Sequence, residues 1–290
     1  MGENFIKIID SHQHFWKLDR GDYGWLTEEQ GILYQDYLPK DLEPFMKKHS
    51  VSGTILVQAA PTVEETLYLL SLYRQYEWVY GVVGWLDFSS TNFKAQLQSL
   101  LNRPGLVGLR PMLQDIDASD WILQNQVIEN LKVLAEEQVP LDLLIKERHI
   151  PYVISALEKI PDLTAVVDHL AKPKIANGDT ELWKKDIKHL ASFSNVWCKV
   201  SGLMTEAEPH SWKVNDFQPY IHQIINSFGP SRILFGTDWP VCLAAGNYED
   251  VFKIVNKCLP ESLSTSEKQQ IFYSNAIKFY KLRERSDKCE

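Results

Sequence analysis

No apolar run in the chain approaches the roughly 18 residues needed to cross a bilayer, so no membrane span is expected. The N-terminus has no basic segment followed by an apolar core and a small-residue cleavage site, so it does not read as a secretion signal. Met1-Gly2 is followed by Ile6 where a myristoylation signal needs Ser or Thr. Cysteine is scarce. Cys198, Cys242, Cys258 and Cys289 show no paired spacing, which points to reduced thiols and a cytoplasmic protein. Cations are outnumbered, 30 Lys and Arg against 38 Asp and Glu, for a net charge of −8. Phosphate backbones need a basic surface, so nucleic acid is not expected as a partner, although one local arginine can still hold an anionic group. No glycine-rich turn follows the first apolar run, which argues against an open, doubly wound nucleotide-binding sheet. Linkers, low-complexity tracts and solenoid-length repeats are also missing.

What is there is an ordinary globular composition, 44% hydrophobic and 23% charged, in 290 residues. That length suffices for one large core. Short β-rich apolar runs recur at 5–9, 53–58, 78–86, 105–110, 140–146, 163–169, 195–202 and 231–238. They are continuous rather than alternating, as expected for parallel strands covered on both faces. Helical patterns lie between them. Thr62-Val63-Glu64-Glu65 has the form of a capping box and precedes Leu67, Leu70 and Tyr73. Residues 121–138 and 264–282 carry apolar side chains at helical spacing. Eight strand–helix units predict an α/β fold, a (β/α)8 barrel in one domain over residues 1–290. Residues 16–40, rich in Trp, Tyr and Gly, form a long first loop placed to cover the barrel mouth.

Barrel chemistry sits at the C-terminal strand ends. There the chain offers His12 and His14, Gln58, Arg110, Lys146, Asp168-His169, Lys199 with Ser201, and Asp238-Trp239. Polar groups at nearly every strand end are costly to bury without partners. His12 and His14, two apart, point to one side of a strand and can serve a metal or a proton transfer. Packing and capping alternatives exist for each residue. Lys146 and Lys199 read more readily as structural groups, and His49, His149, His189, His210 and His222 as packing or surface residues. Trp16, Tyr23 and Trp25 form either the loop's own small core or a substrate-facing wall.

The order His-x-His on strand 1, His on strand 6 and Asp on strand 8 resembles the amidohydrolase superfamily. The segments DSHQHFW, YGWL, ILVQA, GLRPML, VVDHLAKP, WCKVSGL, ILFGTDWP and NAIKFYKL are similar to its branch of sugar and dicarboxylate lactonases. That branch includes fuconolactonase-like, rhamnonolactonase-like and 2-pyrone-4,6-dicarboxylate lactonase-like enzymes. The resemblance spans nearly the whole chain and implies a hydrolase that opens a lactone. By position it makes His12, His14, His169 and Asp238 the site and metal-ligand residues, and Arg110 a substrate-binding group. Asp238 would activate water. Trp16, Trp25, Gln58 and Lys146 complete the expected substrate wall. The chain departs from binuclear members, because strand 5 ends in Lys146 and offers no histidine. One zinc, or another divalent ion, and a metal-independent site therefore both stay open. A single strand-end arginine favours a sugar aldonolactone over a dicarboxylate ring. A decarboxylase, a pyrone-dicarboxylate lactonase and a non-catalytic carbohydrate-binding barrel are the alternatives. The expected partner is a small lactone, and a homo-oligomer is left open.

Overall fold

The computed structural model describes residues 6–178, 180–209 and 211–282. Its framework is a parallel eight-stranded sheet in sequential order: β1 (Ile8–Gln13), β2 (Val51–Val57), β3 (Val79–Gly84), β4 (Leu106–Leu109), β5 (Leu141–Leu143), β6 (Ala165–Val167), β7 (Val196–Val200) and β8 (Ile233–Phe235). The ends meet through a parallel bridge between Gln13 and Trp239. His14 N donates to Trp239 O (2.7 Å) and Asp238 N to His12 O (2.8 Å), so the sheet curls into a (β/α)8 barrel. The intervening helices are α1 (Pro39–Lys48), α2 (Val63–Gln75), α3 (Phe93–Leu101), α4 (Asn125–Glu136), α5 (Ile150–Lys159), α6 (Glu181–Ser192), α7 (Val214–Phe228) and α8 (Tyr248–Cys258). Among the described residues no helix is long and apolar enough to cross a membrane.

All eight expected strands are present, with shifted ends. β1 runs on to Gln13, so His12 lies inside a strand rather than after one. The reason is local. Asp10, Ser11 and His12 read as a polar stop, but each is buried and satisfied across the seam. Asp10 accepts from Thr237 N (2.8 Å) and Thr237 Oγ1, and Ser11 Oγ donates to Phe235 O (2.6 Å). Strands β5, β6 and β8 are only three residues long. The first residue of the expected run 5–9, with Met1, Gly2, His210 and Cys289, lies outside the described residues.

Helix starts follow their caps. Thr62 Oγ1 accepts from Glu65 N (3.1 Å), as the capping pattern predicts. Glu65 does not complete the box. Its carboxylate instead accepts from Ala59 N and Ala60 N and fixes the turn after β2. Residues 121–138 divide into a short 3-10 turn and α4. Residues 264–282 form α9 (Thr265–Gln269), a π-helical stretch at Gln270–Ser274 and α10 (Asn275–Phe279). This last element packs against the barrel strands. Phe279 meets Trp197 of β7 at 5.5 Å between ring centroids, and Ile9, Ile55, Val57, Val83, Val166 and Leu234 join them in one buried cluster.

Candidate active site

The side chains that converge at the mouth come from β1, β4, β6 and β8, with supporting groups from β2, β5 and β7. His14 is fixed first: its Nδ1 lies 2.7 Å from Val57 O and donates to it, which turns Nε2 to the mouth. That Nε2 is 3.3 Å from Asp238 Oδ1. His12 Nε2 and His169 Nε2 stand 3.7 and 3.9 Å from the same oxygen. The rings of His12 and His14 are 5.0 Å apart, and those of His12 and His169 4.4 Å. His169 is held by a 2.9 Å contact of Nδ1 with Ser201 Oγ.

Arg110 closes the other side. Its Nη1 approaches His12 Nε2 (3.3 Å) and donates to Asp168 Oδ2 (3.2 Å). Its Nη2 donates to the carbonyl of Gln58 and to Gln58 Oε1 (3.1 Å). A guanidinium only donates, so the His12 nitrogen facing it accepts, while His12 Nδ1 lies between Lys199 Nζ (3.2 Å) and Asp168 Oδ1 (3.3 Å). Behind His12 sits Lys199, fully buried. Its Nζ bridges Asp142 Oδ2 and Asp168 Oδ1 (3.1 Å), and Tyr280 Oη donates to Asp142 (2.8 Å).

Burial and charge set the protonation states. Burial pushes the Asp238 carboxyl up, but His169, His14 and His12 outweigh it and hold it well below the usual carboxylate range. Burial drives His12 far down and His169 down to about 4, so neither imidazole carries a charge at neutral pH. For Asp168, burial is overcome by Lys199 and His12, and it stays ionised. Asp142 moves the other way, up to about 6, because burial outweighs Lys199. The result is an ionised aspartate ringed by imidazole nitrogens, backed by a buried network of alternating charge.

The backbone is bent to make this possible. Asp238 has φ +58°, and His169, Leu170, Ala171 and Lys172 have φ between +51° and +60°. Each such residue costs roughly 1–2 kcal/mol when it is not glycine. Strain of this kind persists where the surroundings over-determine it and clusters at working sites. Two glycines make room. A Cβ on Gly202 would lie 2.4 Å from His169 Nδ1, and one on Gly236 would lie 2.6 Å from His12 Cβ.

A cavity of about 300 Å³ opens over these groups, lined by His14, Arg110, His169, Asp238, Trp25 and Lys172 among others. Trp25 is aimed by its Nε1, which donates to Ala59 O (2.8 Å). Gln30 also lines this cavity, so the first loop does reach the mouth. Three expected wall residues are elsewhere. Trp16 is fully buried, donates to Gln35 O (2.8 Å) and packs edge-on against Trp25 and Tyr37; it is the loop's core. Gln58 is buried behind Arg110 and serves to hold it. Lys146 is exposed, because β5 has ended three residues earlier and its backbone N is turned to His149 Nδ1 (2.9 Å). Asp142 and Tyr280 went unrecognised, since an aspartate within an apolar strand and a tyrosine near the chain end show no mutual spacing.

The donor set fits a divalent cation. His12, His14 and Asp238 each offer one ligand atom, all within 4.8 Å of one another. A lone pair of His14 directed at an ionised carboxylate is repulsive unless a proton or a cation stands between them. The Nδ1 contact with Val57 O is the kind of outer support that orients a ligating histidine.

A (β/α)8 barrel whose strand ends gather three imidazoles, an aspartate and an arginine belongs to the class of barrel hydrolases. The amidohydrolase family model matches residues 9–282, and the chain belongs to that family. It is 37% identical over 277 residues to an L-fucono-1,5-lactonase of Burkholderia ambifaria, covering 94% of this chain and 95% of that protein. It is 32% identical over 292 residues to an L-fucono-1,5-lactonase of Burkholderia multivorans, covering 96% and 97%. An amidohydrolase of Burkholderia multivorans solved with bound zinc superposes with a TM-score of 0.90 at 32% identity, covering 96% of this chain and all of that one.

Proposed function

We propose that the protein hydrolyses a small polyhydroxylated lactone, a sugar aldonolactone such as an L-fuconolactone. One observation carries the reading: the ionised Asp238 carboxylate lies beside three imidazole Nε2 atoms on the wall of a cavity sized for one sugar ring. The two lactonase relatives, similar over nearly the full chain, support it.

Opening a cyclic ester needs an activated water, a stabilised oxyanion and a proton for the departing alkoxide. Asp238 takes the water proton as general base and returns it to the ring oxygen. Arg110 lines the same wall, held there by Asp168 and Gln58, and its positive charge stabilises the developing oxyanion. His169, neutral and held by Ser201, orients the substrate through Nε2. His12, His14 and Asp238 would hold a divalent ion such as zinc, and a bound ion would polarise the carbonyl and lower the pKa of the water. Arg110 and Lys172 are the cations on the wall, and each already has a carboxylate partner, Asp168 and Glu206, which suits a neutral polyol ring better than a dicarboxylate. We place the protein in the cytoplasm, in keeping with the unpaired, buried thiols of Cys198, Cys242 and Cys258.

The test is a panel of aldonolactones read by proton release, with and without chelator. Turnover of at least one 6-deoxy-sugar lactone is expected. Asp238→Asn should lower kcat by about 10²–10⁴-fold with unchanged far-ultraviolet circular dichroism. Activity of that variant near the wild-type level would remove Asp238 as base. No turnover of any lactone would favour a carbohydrate-binding barrel.

A further inference from the structure

A second, larger cleft adjoins the candidate active site. Its volume is about 720 Å³, and it shares the lining residues Trp25, Met112 and Asp115 with the catalytic cavity. Trp85, at the end of β3, and Trp121, in the turn before α4, join Trp25 on its wall. The catalytic cavity alone accommodates one ring, and nothing in the proposed reaction uses the neighbouring space.

The lining restricts what can occupy it. Besides the three tryptophans it carries Asp22, Asp87 and Asp115, and among the described residues no lysine, arginine or histidine. Asp22 is paired with Arg20, but Asp87 and Asp115 add negative charge to the wall and disfavour an anionic ligand. Flat indole surfaces bind apolar faces with large contact area, and carboxylates accept hydrogen bonds from hydroxyls. That pairing suits a pyranose, which has C–H faces and a hydroxyl rim. Asp22 is one of these carboxylates. Its Oδ2 is taken by Arg20 (2.6 Å) and Thr62 Oγ1 (2.8 Å), while its buried Oδ1 has no partner. The platform is also rigid. Trp85 N donates to Thr66 Oγ1 (2.8 Å), and Trp25 Nε1 is tied to Ala59 O (2.8 Å).

We propose that this cleft is a glycosyl subsite: the enzyme accepts an aldonolactone carrying a neutral sugar unit, with the lactone at Asp238 and the attached sugar against Trp25, Trp85 and Trp121. The proposal rests on the lactonase reading for the identity of the reacting ring, but not for the presence of the subsite.

Two measurements test it. In the first, aldono-1,5-lactones carrying a hexosyl unit at O-3 or O-4 are compared with their parent lactones by proton release. At least one is expected to show a KM about tenfold below its parent, and Trp85→Ala or Trp121→Ala should raise the hexosyl-to-parent KM ratio by about tenfold. In the second, saturation-transfer NMR follows binding of a panel of neutral disaccharides, maltose and lactose among them, to the wild type and to the Trp85→Ala/Trp121→Ala variant. Binding to the wild type that the double variant loses, with its thermal melt cooperative, supports the subsite. If no lactone is hydrolysed, the lactonase reading fails and the NMR measurement alone decides the subsite. Absence of any KM advantage together with absence of disaccharide binding overturns it. So does saturable binding of tetramethylammonium in place of the sugars, which would make the cleft an aromatic cage for a cation.

Discussion

Lys199→Met is the sharpest probe of the buried charge network. The ammonium is fully buried, bridges Asp142 and Asp168, and lies 3.2 Å from His12 Nδ1. With Arg110 on Asp168, the four groups balance two positive against two negative charges. Methionine fills a similar volume, so the change removes charge rather than packing. It leaves one negative charge uncompensated in the barrel interior. Breaking a buried pair from one side typically costs about 3–5 kcal/mol. At roughly 2–3 °C per kcal/mol for a chain of this size, the melting temperature should fall by about 6–15 °C. The loss should depend on pH. Asp142 has a pKa of about 6 in the folded wild type, raised by burial against the lowering pull of Lys199. Without Lys199 it moves further up. A carboxyl whose folded pKa is raised contributes stability below its unfolded value, and that contribution is lost as pH rises through the folded pKa. The Lys199→Met deficit should therefore be small near pH 5 and grow toward pH 8. Urea unfolding at both pH values measures it. Adding Asp142→Asn, which keeps a partner for Tyr280 Oη, should recover part of the loss at pH 8. A deficit below about 1 kcal/mol at pH 8, or one that shrinks with rising pH, would refute the assignment of Lys199 as the compensating charge.

Gly202→Ala places a methyl 2.4 Å from His169 Nδ1 at a φ of +61°, so a stability loss of at least about 1–2 kcal/mol and a fall in kcat are expected; calorimetry with steady-state kinetics checks both. Arg110→Lys loses the fork that grips Gln58 and Asp168 together, and kcat/KM should fall by on the order of 100-fold, whereas a variant within about threefold of wild type would rule out the bidentate role. Trp16→Phe removes the bond to Gln35 O and should cost about 1 kcal/mol of stability while leaving KM for lactones unchanged, because Trp16 lies behind the wall rather than on it.

Periodicity and turn residues carried the architecture. Eight apolar runs separated by helical patterns predict a parallel barrel, and the strand-end rule then collects His12, His14, Arg110, His169 and Asp238, together with Gln58, Lys146 and Lys199. These residues were legible because each follows its strand by local chain geometry. Their mutual distances were not, since His14 meets Asp238 across 224 residues of sequence.

Tertiary structure alone decided the rest. Trp16, Trp25 and Tyr23 were equivalent aromatics in sequence; which indole faced the cavity depended on the Trp25 Nε1 bond to Ala59 O and on Trp16 folding under it. Lys146 and Lys199 were equally ambiguous lysines at strand ends. β5 stopped after three residues and turned Lys146 to solvent, while β7 carried Lys199 inward to Asp142 and Asp168. The same holds for the protonation states, because burial and the charges facing each group exist only once the barrel closes. Local pattern determines which residues arrive at the mouth; long-range packing determines which of them face one another, and hence what they can do.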